Sequence, residues 1–140
     1  MVSSIMYLAI LIRPDIAFAL GRLSQFLLDL ADYYIKALKG LIRYTRSTSD
    51  FRITFKPDLR GDKLIGYSNL DFAIDKSNRR LVLGNVFMLA RGPISWMSKK
   101  QKSVATSTMD AEYMAMCSCA KQSQLLAHLI RDIGYKYLIR

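Results

Sequence analysis

The sequence has little cysteine, histidine and proline, and it is short of acidic side chains. Two cysteines and one histidine stand among 140 residues. Cys117 and Cys119 lie two positions apart in a segment that we predict to be helical, where such side chains point to nearly opposite faces. This spacing argues against a disulfide between them and against a metal site built on them, so a reducing compartment is expected.

Long apolar runs are also missing. Residues 5–12 form a short apolar run that is followed by Ala-Phe-Ala, as in a signal peptide. No basic residue precedes the run, and Arg13 and Asp15 interrupt it before the Ala-Phe-Ala, so we predict a core helix instead. A membrane-spanning helix needs about 20 apolar residues, which no stretch approaches. We therefore expect an intracellular protein, cytoplasmic or nuclear, with no membrane partner.

The shortage of acidic residues leaves a large positive charge. Lys and Arg number 21 against 11 for Asp and Glu, which gives a net charge of +10. Such a surplus favours a polyanionic partner, with nucleic acid as the first candidate. The alternative, that the cations only solvate helix faces, stays open. The candidate nucleic-acid-binding residues flank the predicted hairpin: Arg79, Arg80, Lys99, Lys100 and Lys102.

The pattern of the chain changes at the polar cluster of residues 47–50. Before this cluster, apolar residues recur at helical spacing from Pro14 onwards and again over residues 32–46, which predicts two helices. After it come four stretches that read as strands: FRITFK, KLIGYSN, LVLGNVFMLA and PISWMSKK. The last two read as a hairpin with its turn at Arg91-Gly92.

A long helix is predicted to follow the strands. Ser107, Thr108 and Asp110 fit a capping box, so the helix should begin near Thr108 and end at Gly134. The order of strands and then a helix predicts an α+β fold.

Carboxylates near the end of KLIGYSN and at the start of the long helix suggest metal chemistry. Two Mg²⁺ ions can cleave a phosphodiester when several carboxylates hold them. Asp71 would share a strand face with Asn69 but lies about 6.5–7 Å along the strand, too far to take its place. Asp110 has a capping role and diverges from Glu112 by about 200°. Glu112 is then the carboxylate left to face the sheet, unless it is an ordinary exposed helix residue.

Three stretches, YSNLDFAID, RGPISWMSKKQKSVATST and MDAEYMA, resemble the ribonuclease H domain of copia-type long-terminal-repeat retrotransposon polyproteins. The corresponding motifs of that family have approximately the consensus sequences YSDADWAGD, ISWKSKKQ and SSTEAEYMA. The stretch SSIMYLAILIRPDIAFALGRLSQFL, with ALKGLIRYTRST after it, is similar to the end of the preceding reverse transcriptase. The resemblance therefore implies a helical reverse transcriptase remnant over residues 1–50. It implies a truncated ribonuclease H-like domain, an antiparallel β-meander plus a long helix, over residues 51–140.

The resemblance also implies a site and its loss. In the family, four acidic residues bind two Mg²⁺ ions, and water attacks the RNA strand of an RNA–DNA hybrid. The first acid falls on Asn69 and the second on Glu112, while the other two would lie beyond residue 140. We therefore expect a catalytically inactive remnant without a cofactor, whose intact relatives carry RNA-directed DNA polymerase and ribonuclease H activity.

Two alternatives to a simple remnant remain. The chain is either a basic module that binds an RNA–DNA hybrid or other nucleic acid weakly and without sequence preference, or a ribonuclease H that needs the remaining part of a Pol polyprotein. In the second case Glu112 would be a metal ligand. An incomplete sheet would expose an edge and apolar surface, so we also expect a marginally stable, aggregation-prone chain.

Overall fold

The computed structural model describes residues 2–25, 32–56, 63–71, 82–100 and 108–134. The chain forms two compact units, Met1–Arg52 and Ile53–Arg140. The assignment of residues 1–50 to a reverse transcriptase remnant and of 51–140 to a ribonuclease H-like domain stays a prediction.

The first unit is helical. Its helices are α1 (Val2–Leu11), α2 (Pro14–Ser24) and α3 (Asp32–Ser47). Pro14 stands at the start of α2, as predicted, where its missing N–H removes no hydrogen bond. The buried core of this unit is formed by five side chains: Ile5, Ala9, Ile16, Leu20 and Leu41. Because α1 contributes two of them, the apolar run at residues 5–12 is part of a core helix, as its sequence predicts.

The second unit is a three-stranded antiparallel sheet with one long helix. Its elements are β1 (Ile65–Asp71), β2 (Val82–Leu89), β3 (Gly92–Lys100) and α4 (Thr108–Asp132). The strand order is β1-β2-β3, and α4 contacts β1 and β2. The predicted α+β fold, an antiparallel meander followed by a long helix, is thus confirmed. No helix in the described ranges has the length and apolar character to cross a bilayer.

Both ends of α4 agree with the local sequence signals. The helix begins at Thr108, while Ser107 of the predicted capping box lies outside the described residues. At the other end Gly134 has a φ of 96°, and its N–H donates a hydrogen bond to the Arg131 carbonyl at 2.9 Å. Glycine adopts this left-handed conformation without a steric penalty, so it ends the helix.

The prediction of a strand at FRITFK is wrong. Residues 51–56 form no strand, although the Lys56 N–H donates a 2.7 Å hydrogen bond to the Ala90 carbonyl. Alternating side chains indicate a surface that suits a strand, but a strand also needs a neighbour to share its backbone hydrogen bonds. The sheet consists of β1, β2 and β3, and the bond from Lys56 reaches Ala90 in the hairpin turn and not the edge of a strand.

The hairpin turn lies one residue earlier than predicted. Leu89 pairs with Gly92, so the two-residue loop is Ala90-Arg91, with φ values of 49° and 62°. Both values are typical of a type I′ turn, which normally favours Asn and Gly. Gly92 has a different role, because a Cβ there would lie 2.5 Å from the Phe55 ring. Gly92 is therefore required for close packing against Phe55, and its predicted role as a turn residue is wrong.

Candidate metal and nucleic-acid site

One face of the sheet meets α4. A Cβ added at Gly66 would lie 2.7 Å from the Phe87 ring and 3.6 Å from Cys119 Sγ. Ser68, two residues further along β1, lines an open cleft of about 270 Å³ together with residues of α4. Gly66, Ser68 and Phe87 therefore lie on the helix face of the sheet.

Asn69, the position of the predicted first acid, lies on the other face. Side chains alternate along a strand, so Asn69 shares a face with Ile65 and Tyr67 and not with Ser68. All three of these side chains are exposed, and Asn69 pairs in register with Gly84 of β2. The side chain at position 69 thus points away from the face that α4 covers.

Glu112 lies near the N-terminus of α4. It precedes the buried Ala115 by three residues and Cys119 by seven, which is the spacing of one helix face. The helix therefore directs Glu112 to the side that faces the sheet, but the side chain itself is exposed. Its carboxylate and Asn69 are not on a common face of the sheet, so the structure does not bring the two together.

A two-metal site does not fit the side chains that the structure describes. Position 69 carries a neutral amide, and within the described ranges no three His, Cys, Asp or Glu residues are grouped to hold a metal ion. Asp75 lies outside those ranges, and only the backbone of Asp71 is described. The roles of Asn69 and Glu112 in an intact relative, and Mg²⁺ as its cofactor, stay predictions.

The predicted nucleic-acid-binding cations do not form one described patch. Lys99 is exposed and Lys100 is half-buried, and strand alternation places them on opposite faces of β3. Arg79, Arg80 and Lys102 lie outside the described residues. Their contribution to nucleic-acid binding stays a prediction.

Asn85 is a polar residue that the sequence analysis did not single out. It lies on β2 between Leu83 and Phe87, on the helix face, and is only 5% exposed. Among the residues that the structure describes, its Nδ2 has no hydrogen-bond partner, and a buried polar group left in this state costs about 1–3 kcal/mol. The sequence VLGNVFML could have predicted its burial, because alternate residues of a strand share a face and Asn85 lies between Leu83 and Phe87 in that alternation.

A second missed feature is a polar network in the first unit, centred on Arg13. Arg13 is 7% exposed, and its Nε and Nη2 donate hydrogen bonds of 2.9 and 2.8 Å to the two carboxylate oxygens of Asp15. Its Nη1 donates to the Thr48 carbonyl at 3.0 Å, and Nη2 donates to Thr48 Oγ1 at 2.6 Å. The guanidinium therefore joins the start of α2 to the residue that follows α3.

Aromatic rings complete the Arg13 network. The guanidinium carbon lies 5.8 Å from the Tyr44 ring centre and 5.6 Å from that of Phe51. The Tyr44 hydroxyl donates a 3.1 Å hydrogen bond to Asp15. The hydrogen bond with Asp15 raises the pKa of Arg13 despite burial. The same bond, with a smaller contribution from Tyr44, lowers the pKa of Asp15.

Comparison with known proteins identifies the kind of chain. No protein-family model matches it, and no solved structure matches it. It is 38% identical to the retrovirus-related Pol polyprotein from transposon TNT 1-94 of Nicotiana tabacum over 95% of this chain. It is 36% identical to that from transposon RE1 of Arabidopsis thaliana over 96% of this chain. The aligned region covers 10% and 9% of those polyproteins.

A shorter relative aligns along most of its length. The chain is 42% identical to secreted RxLR effector protein 161 of Plasmopara viticola, over 87% of this chain and 85% of that protein. These sequence similarities define a transposon-derived chain. Over 95–96% of its length, the chain is related to a segment of the Pol polyproteins of copia-type retrotransposons, and it spans 9–10% of those polyproteins.

Proposed function

We propose that the chain is a non-catalytic remnant of a copia-type Pol polyprotein. The observation that carries this proposal is Asn69, which stands where the resemblance places the first metal-binding Asp. A neutral amide does not supply the negative charge that holds two Mg²⁺ ions close together. Loss of ribonuclease H activity is therefore expected.

A cleavage assay tests the loss of activity. The chain is incubated with Mg²⁺ and an RNA–DNA hybrid labelled on the RNA strand. We expect no cleavage above a blank without protein. Mg²⁺-dependent cleavage by the natural chain that disappears in Glu112→Ala, with Glu112→Asp retaining part of it, would overturn the proposal.

Complementation by another chain is a separate outcome of the same assay. The remainder of the TNT 1-94 polyprotein, without the aligned region, is added in excess. If the chain is an inactive remnant, the mixture cleaves no more than the added remainder alone. Cleavage by the mixture that depends on Glu112 would favour a ribonuclease H that needs the rest of a Pol polyprotein.

Nucleic-acid binding is a second candidate function. The net charge of +10 supports it, because cations bind the phosphate backbone of a nucleic acid and need no contacts that recognise particular bases. An RNA–DNA hybrid would be recognised by its shape and its backbone. We expect weak binding of duplexes with little sequence preference, which fluorescence anisotropy measures over a range of salt concentrations. Absence of binding at low salt would contradict this function.

A further inference from the structure

Helix α3 carries four cations along one face. Lys36, Lys39, Arg43 and Arg46 follow one another at intervals of three, four and three residues. At 3.6 residues per turn this spacing confines them to an arc of about 80° and a length of about 15 Å. All four side chains are exposed. We call these four residues the basic stripe.

The opposite side of α3 holds the helix in place. Leu41 is 9% exposed and belongs to the buried core, against which Leu38 and Ile42 pack. Leu41 lies about 180° from the centre of the basic stripe, at 100° per residue. Packing of the apolar side therefore fixes the stripe towards solvent and orders its four cations on a rigid helix.

The fold does not use the cations of the basic stripe. Among the residues that the structure describes, none of the four takes part in an ion pair or a hydrogen bond of its side chain. Arg13 shows the contrast, because it is buried and bound to Asp15 and Thr48. Asp32, one turn before Lys36, is the acidic residue on the same face, in the first turn where it favours the helix dipole. The positive charge of the basic stripe is therefore not neutralised by the described residues and is available to an external ligand.

Beside the basic stripe, α3 has a glycine, Gly40, in place of a larger side chain. Among the described residues, and apart from the backbone of α3 and the neighbours of Gly40 in the chain, no atom lies within 4 Å of the place where a Cβ of residue 40 would be. Gly40 lines an open cleft of about 340 Å³ between α2 and α3, together with Ala19 and Ala37. The larger side chains of Arg22 and Tyr44 line the same cleft.

We propose that the basic stripe is the surface on which this chain binds the phosphate backbone of a nucleic-acid duplex. The inference rests on the proposed nucleic-acid binding and gives it a location outside the sheet. A duplex carries one negative charge about every 1.7 Å of its axis, so a 15 Å row of four cations faces several phosphates at once. Lys99 and Lys100, on opposite faces of β3, offer no comparable row.

The geometry favours a duplex over an anionic membrane. A helix that lies on a bilayer inserts its apolar face among the lipids. In α3 that face is already packed in the core around Leu41. The cations are then available to a rigid polyanion that needs no apolar insertion.

A charge-matched pair of variants tests the location. The stripe variant changes Lys36, Lys39, Arg43 and Arg46 to Gln. The control variant changes two exposed lysines and two exposed arginines elsewhere to Gln: Lys56, Lys121, Arg91 and Arg131. Each variant loses four charges from +10, so the two keep the same net charge. Binding to a fluorescent DNA duplex is measured by anisotropy at several salt concentrations, after circular dichroism has shown that the helices are intact.

The stripe variant should bind at least tenfold more weakly than the control variant at low salt. Its slope of log K against log salt should be smaller in magnitude by up to about 3.6, which is 0.9 for each of four lost phosphate contacts. Equal losses in the two variants, or an unchanged slope in the stripe variant, would overturn the location while the binding function stands. If the natural chain binds no duplex, the binding function itself fails, and this inference with it.

Two further arms complete the test. If the fourfold variant loses helix content, the pairs K36Q/R43Q and K39Q/R46Q replace it, each with an expected loss in slope of up to about 1.8. Vesicles of phosphatidylcholine and phosphatidylserine form the second arm. Stripe-dependent binding to vesicles without stripe-dependent binding to the duplex would overturn the choice of ligand.

Discussion

At the residue scale, Arg13 has a structural role that its neighbours in the sequence do not announce. Residues 13 and 15 look like a polar interruption between two apolar runs, and their pairing is local. The bonds from Arg13 to Thr48 cross 35 positions. No periodic pattern predicts a contact between these two residues, because it depends on how α2 and α3 pack.

Removal of the Arg13 side chain should destabilise the first unit strongly. Arg13→Ala would leave Asp15 without its bidentate partner and the Thr48 carbonyl without a donor. Loss of one partner of a buried ion pair costs about 3–5 kcal/mol. Because Asp15 is 32% exposed, we expect a loss near the lower limit, about 3 kcal/mol, in urea unfolding followed by circular dichroism. Arg22→Ala, on the last turn of α2, is the matched control, and an equal effect of the two changes would refute the role of Arg13.

The same pair predicts how stability depends on pH. The pKa of Asp15 is lower in the folded chain than its ordinary value of 3.8, so the folded state favours the charged form. Its contribution is therefore complete above the ordinary value and is lost as pH falls through the lower, folded value. The difference in unfolding free energy between the natural chain and Asp15→Asn should shrink as pH is lowered below 3.8. A difference that stays constant down to pH 2 would show that the ionised carboxylate has no such role.

At the element scale, the sequence predicts what local signals determine. Pro14 at a helix start and Gly134 at a helix end have steric causes that act within a few residues, and both predictions are confirmed. FRITFK failed because strand formation depends on a neighbouring strand. The turn was misplaced because the need for glycine at position 92 comes from the Phe55 ring, which no local pattern reveals.

The predicted site could be derived only in part for a similar reason. The spacing of Glu112 from the capping box predicts that it lies on the side of α4 that faces the sheet, and its spacing from the buried Ala115 is consistent with this prediction. The face of β1 on which Asn69 lies depends on which alternate residues α4 covers, and this is decided by the contact of Gly66 with Phe87 and Cys119. Strand alternation places Asn69 and Tyr67 on the same face of the sheet, but it does not determine which of the two faces contacts α4.

Two glycines in different elements should respond in opposite ways to the same change. Gly66→Ala places a Cβ 2.7 Å from the Phe87 ring, so we expect a destabilisation of about 1–3 kcal/mol from overpacking. Gly40→Ala adds a methyl group to open space on a helix and should stabilise by about 0.5–1 kcal/mol. Thermal unfolding of both variants measures the contrast. Similar effects of the same sign would contradict the close packing of the Phe87 ring over Gly66.

At the scale of the whole molecule, α4 leaves much apolar surface in contact with water. Leu125 and Leu129 of α4, and Ile133 directly after its last residue, follow one another at four-residue intervals and are 61%, 53% and 66% exposed. A contiguous exposed stripe of this kind is a liability for aggregation. It supports the expectation that the chain is aggregation-prone, which still awaits measurement.

Polar replacements on that stripe should improve behaviour in solution. L125Q/L129Q should lower the binding of a hydrophobic dye and raise the concentration at which light scattering detects aggregates, because the exposed apolar area falls. A paired change of exposed polar residues on the same helix, K121Q/H128Q, is the control. If the control improves solubility as much as L125Q/L129Q, the apolar stripe is not the cause.

The exposed position of Asn69 has a consequence for how such a chain diverges over time. Its side chain lies on the open sheet face, so an exchange of Asp for Asn removes a charge without disturbing any buried contact. Catalytic activity and fold can therefore be lost independently. A copy that is no longer selected for cleavage can lose its activity by mutation and still fold. Related copies should accordingly vary more freely at position 69 than at Gly66, where any added Cβ would collide with Phe87.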